Sequence, residues 1–236
     1  MAVWDRRTGT LLALPLAATL GLGVAASSRE PGQAGHDMVG EVWNAVAPAD
    51  LDRHHPADMG FYDALRVDGA LLAPPPADVA AAVEDSTLVV VATIADVSPA
   101  RVIGDLQTVG IRLDVVEVLH GEVRPEPGGP VVVEYPVGSP ATVDSRVAAL
   151  RGWLPEGATI WFLRWQGVKR PPVSTDPADP RFHSMIHMHA MFAQGQDKVV
   201  NPLGEHDTGF RSLPGLQADG ERFARLTELA ARIRAV

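Results

Sequence analysis

The stretch Thr87–Val97 reads TLVVVATIADV, and a second one, Val109–Leu119, reads VGIRLDVVEVL. In the first, β-branched and apolar residues run on without polar alternation, the pattern of a strand covered on both faces. In the second, Val109, Ile111, Leu113 and Val115 alternate, and the apolar series then resumes out of phase at Val116 and Val118. Side chains on a strand change face at every residue. The slip therefore predicts a β-bulge at Val115–Val116, which bends a strand in the way a closed barrel requires. Gly121 ends this strand.

Outward from this pair the chain continues in short extended runs. Pro130–Tyr135 (PVVVEY) follows a Gly128-Gly129 turn, and Ala158–Trp165 (ATIWFLRW) follows Pro155-Glu156-Gly157. Asp144–Arg151 is expected as a short helical turn between them, with His183–Ala193 and Lys198–Asn201 as two further strands. Lys169–Pro180 (KRPPVSTDPADP) holds four prolines and is expected as a surface loop. At the C-terminus, Phe223, Leu226, Leu229, Ala230 and Ile233 form one helical stripe with Asp219 as its cap. Together these runs predict a mainly β domain over residues 84–236, a small Greek-key, OB-like antiparallel barrel with a C-terminal α-helix.

The same residues carry a resemblance. Leu88–Ile94, Leu113–Gly121 and Leu154–Leu163 resemble three motifs of the extracellular netrin-like domains related to tissue inhibitors of metalloproteinases. These are an apolar strand, a following x-V-x-V-x-K-V-x-K-G, and a later L-x-x-G-x-x-Y-L-L. The resemblance spans about 80 residues and implies the OB-type barrel. In that family the inhibitory contact begins at an N-terminal cysteine and disulfides brace the domain. This chain has no cysteine, so the resemblance extends to the fold and not to the inhibition.

Ahead of the barrel the composition changes twice. Arg6 and Arg7 precede Leu11–Ala26 (LLALPLAATLGLGVAA), and no charge recurs until Arg29. A basic start, an apolar run and small residues at Val24–Ser27 are the layout of a secretory signal over residues 1–26. The uncharged residues 8–28 also reach the roughly 20 needed to stay in a membrane as a tether. Either reading sends the protein out of the cytoplasm, secreted or anchored by this segment. With no cysteine, neither lipidation nor disulfide staples are available. Residues 27–83 read as an acidic Pro/Ala-rich leader, with a short amphipathic helix at Asp37–Val46, Pro74-Pro75-Pro76 as stiff punctuation, and a helical turn from Pro76 to Val83.

The net charge of −9 argues against nucleic acid as a partner. Residues 27–100 carry twelve acids against three arginines, while the rest of the chain is nearly balanced. There is no HExxH, GxSxG, GxGxxG or phosphate-binding glycine loop. Ser145, Asp144 and His183 supply the residue types of a hydrolytic triad and nothing more. His54-His55, beside Asp52 and Asp58, read as surface decoration. The best chemical constellation is HSMIHMHAMF, residues 183–192. If extended, it sets His183, Met185, His187, His189 and Met191 on one face, with Ser184, Ile186, Met188, Ala190 and Phe192 on the other. Imidazole and thioether ligands suit copper. The expected function is an exported, non-enzymatic domain binding an unknown protein or small ligand, through the Lys169–Pro180 loop or this strand. An extracytoplasmic copper-binding protein and a secreted hydrolase are the alternatives.

Overall fold

The computed structural model describes residues 48–66, 74–138, 142–168, 178–187, 190–204 and 215–236. The segment expected as a signal or anchor and the helix expected at Asp37–Val46 lie outside these, as do residues 169–177 of the proline loop. Among the described residues no helix is long and apolar enough to cross a membrane.

Strands β1 (Leu88–Ile103) and β2 (Leu106–Gly121) form a long hairpin, and β3 (Val131–Gly138) pairs on its far side. Helix α4 (Val143–Arg151) leads to β4 (Thr159–Trp165), which returns to pair with β1, with Leu88 opposite Leu163. The short strand β5 (His183–Met185) closes the ring between β3 and β4. The order β1-β2-β3-β5-β4, joined back to β1, is a closed five-strand barrel with one parallel seam, at Val133 and His183. Strands β6 (Met191–Gln194) and β7 (Val199–Val200) extend the wall beyond β4. The mainly β barrel with a C-terminal helix expected from the strand runs is borne out.

The bulge lies where the phase slip predicts it. Val91 faces Glu117 and Ala92 faces Val115, so Val116 has no partner across the hairpin. The slip rotates the strand so that Val115 and Val118 pack with the barrel interior, while Val116 and Leu119 join a second apolar layer outside. Gly121 closes the strand at φ +76°, where a Cβ would come within 2.1 Å of the Thr87 carbonyl oxygen, so only glycine fits.

The unalternating Thr87–Val97 run has a matching cause. Leu88, Val90 and Ala92 point into the barrel with Trp161 and Leu163, while Val89 and Val91 point outward beside Ile160, Phe162 and Phe192. The outer layer is covered by α3 (Val79–Asp85) and α6 (Leu226–Arg234), through Val79, Ala82, Val83, Leu226, Leu229, Ala230 and Ile233. Burying a single valine or leucine side chain on either side is worth roughly 1.5–3 kcal/mol.

Two expectations about helices change. The C-terminal stripe is two helices, α5 (Leu216–Gly220) and α6, separated by a turn. Asp219 therefore lies inside α5 and accepts from the Val79 backbone N–H at the start of α3. The first turn of α6 is instead satisfied by Glu228, which accepts from Ala224 and Arg225 N–H, and by Asp52, which accepts from Thr227 N–H and its hydroxyl. The stretch read from composition as a leader also enters the core. After the single turn α1 (Pro48–Leu51), helix α2 (Met59–Leu65) buries Phe61, Tyr62 and Leu65 completely or nearly so, against the barrel interior and α4. Its apolar residues are confined to one short element, where Phe61, Tyr62 and Leu65 sit at helical spacing.

Candidate functional site

Period-two alternation through His183–Ala193 assumes one unbroken strand, and the chain breaks it. His183, Ser184 and Met185 face Trp165, Arg164 and Leu163, while Met191, Phe192 and Ala193 face Trp161, Ile160 and Thr159. Six steps on this side therefore answer two on β4, and the surplus leaves the sheet opposite Phe162. The Phe162 backbone bonds to both ends of the excursion, accepting from Ile186 N–H and donating to the Ala190 carbonyl. Ala190 N–H donates in turn to the His187 carbonyl. The surplus of four is even, so Met191 still points inward and Phe192 outward. His187 is buried within the excursion, and His189 lies outside the described residues.

His183, Met185 and Met191 thus form a row on the inner side of the wall. From His183 to Met185 is about 7 Å along the strand, and to Met191 about 13 Å, by the rise per residue on β4. His183 is 1% exposed, and neither ring nitrogen has a hydrogen-bond partner. Burial pushes its pKa down to about 4. Among the described residues, no three His, Asp, Glu or Cys side chains come together in an arrangement that holds a metal ion. The paper triad does not form either. Ser145 sits on α4 with its hydroxyl donated to the Thr142 carbonyl, far in chemistry from a His183 without partners.

The ends of the loop between β4 and β5 are tightly built. Asp179 N–H donates to the Gln166 carbonyl, and Gln166 N–H to the Phe182 carbonyl, pinching the loop at a neck. The Trp165 indole donates to Pro180 O at 3.1 Å. Arg101, from the end of β1, braces this neck. Its guanidinium holds Glu134 on β3 through both carboxylate oxygens, at 2.7 and 2.6 Å, and reaches Gln166 at 2.5 Å. Its other terminal nitrogen lies 3.9 Å from Asp179. The Glu134 side chain is only 4% exposed, and Thr108 donates a third bond to it. Phe182 is flanked by the Arg101 and Arg181 guanidiniums, 5.6 and 5.2 Å from its ring centre. Its ring lies over Gly110 of β2, where a Cβ would touch both Phe182 and Val132. The Arg181 guanidinium and N–H hold the Asp179 carboxyl down at about 2.

A second constellation was not visible as one in the sequence. His54, His55, Asp58, Trp153 and Glu156 line a cleft of about 340 Å³. The two histidines are placed rather than decorative. His54 Nδ1 is 3.2 Å from the Gln194 carbonyl, and His55 Nδ1 is 3.9 Å from Glu156. Asp58 accepts from Glu156 and Gly157 N–H and so shapes the cleft wall. The signal was local, a His-His pair three residues ahead of an aspartate, but its partners lie about a hundred residues on.

Compared with known proteins, the chain matches no family model, no curated protein and no solved structure.

Proposed function

We propose that this is an exported, non-enzymatic binding domain whose contact segment is the Lys169–Pro180 loop, carried on the barrel between β4 and β5. The observation that supports this reading is the Arg101 brace. A nearly buried arginine spans Glu134 on the barrel wall and both sides of the loop neck. A buried charge pair contributes little net stability and is better suited to fixing one geometry. Small barrels of OB type take ligands on one strand face and its flanking loops. Here Phe182 and Arg101 occupy the face of β2 and β3, so the Lys169–Pro180 loop is the part left for a partner. The partner is a protein or small ligand met outside the cytoplasm, and the four prolines reduce the entropy lost on binding.

The test exchanges residues 169–177 for glycine and serine at equal length in the full chain. Thermal unfolding should be unchanged, while capture of the cognate ligand from cell-envelope material is lost. Retained capture would overturn the reading. Export is tested separately, by fusing residues 1–40 to a reporter enzyme that is active only outside the cytoplasm. A second reading, a copper-binding protein, is favoured by one observation, the partnerless His183 imidazole two residues from Met185 on the same inner side. Calorimetry with cuprous ion should then give submicromolar binding, lost in His183→Leu. Equal affinity in that variant removes the reading.

A further inference from the structure

Trp153 is the feature that neither the loop nor the His/Met row accounts for. It follows α4 through Gly152 and is 58% exposed, the largest side chain among the described residues to be so open. It is nevertheless held in place. Its indole lies on Gly60 of α2, where a Cβ would come within 2.9 Å of the ring. Gly60 stands in the first turn of α2, and its missing side chain leaves the room that the indole fills. The indole is thus held against α2 while most of it stays exposed, and it lines the cleft.

The rest of the cleft is polar and of mixed sign. His55, with its side chain 20% exposed, and Glu156, 87% exposed, face each other at 3.9 Å. Arg53 and His54 complete the rim, and Asp58 is spent on the backbone of 156–157. An anionic ligand would meet Glu156 and Asp58, and a cationic one Arg53, so neither charge sign is favoured. A neutral ligand with one apolar face and several hydroxyl groups meets both requirements. Its polarised C–H bonds stack on the electron-rich indole face, and its hydroxyls take donors from Arg53 and His55 and an acceptor from Glu156. The volume of about 340 Å³ lies at the small end of ligand pockets, enough for one or two sugar rings.

We propose that this cleft is a saccharide-binding site, with one neutral pyranose ring stacked on Trp153. The site shares no residue with the Lys169–Pro180 loop, so the two readings stand or fall separately.

The test is NMR of the full chain with labelled tryptophan indoles, titrated with neutral four-ring oligosaccharides of glucose, galactose, mannose and N-acetylglucosamine. The Trp153 indole signal, assigned by its loss in Trp153→Ala, should shift saturably with at least one of them below about 20 mM. Trp153→Ala, read by calorimetry with the same sugar, should weaken that binding about tenfold or more. Glu156→Gln, which leaves the backbone held by Asp58, should weaken it by a smaller factor with no change in thermal unfolding. The proposal is overturned if no sugar moves the Trp153 signal, or if both variants bind as well as the parent. It is equally overturned if only a lysine-rich peptide or a polyphosphate moves the signal.

Discussion

His183 carries an ionisable ring into a wall that offers it nothing, with 1% exposure and no partner on either nitrogen. Burial holds its pKa at about 4, against 6.5 for the free side chain. Between these values the unfolded chain binds a proton that the folded chain does not. Stability is therefore complete above about pH 6.5 and declines as pH falls toward 4. The interval corresponds to about 3 kcal/mol. Urea unfolding of the metal-free protein should show its midpoint dropping across that window, and His183→Leu should flatten the decline. Asp179, lowered to about 2 by Arg181, acts in the same direction but lower, losing its contribution only as pH falls below the ordinary carboxylate range. An unaltered decline between pH 6.5 and 4 in His183→Leu would place the acid sensitivity elsewhere.

At the scale of single elements, the sequence was most legible where a pattern is local. The Val115–Val116 slip marked a real bulge, and the unbroken Thr87–Val97 run marked a wall buried on both sides. The His183–Ala193 run misled because the excursion opposite Phe162 is of even length, so inward and outward residues keep alternating across a strand that is broken. The loop neck was illegible for another reason. Arg101, Glu134, Gln166 and Asp179 come from four separate segments, and no spacing rule links them. Their pairing has a measurable cost if broken. Arg101→Met leaves Glu134 nearly buried without its cation, which should destabilise the domain by about 3 kcal/mol. Arg101→Met with Glu134→Leu should recover most of that loss, as read by denaturant unfolding. A single variant as stable as the parent would show that the brace bears no weight.

At the scale of the whole molecule, composition separated a leader from a barrel, whereas packing joins residues 48–66 to it. Composition missed this because the apolar side chains of α2 fill a single seven-residue element, and they gain meaning only against Val147 and Leu150 of α4. Phe61→Ala should cost roughly 3–5 kcal/mol, and a chain started at Glu84 should lose cooperative unfolding by calorimetry. A sharp, parent-like transition in that shorter chain would contradict this. The tie between Asp52 and Thr227 has one more implication, for how the protein is made. A growing chain cannot close its barrel until β5 has left the ribosome. It cannot finish covering Val89, Val91 and Phe162, or satisfy Asp52, until α6 follows. The outer faces of β1 and β4 are thus made long before the helix that covers them, and stay open to other apolar surfaces through the synthesis of everything between.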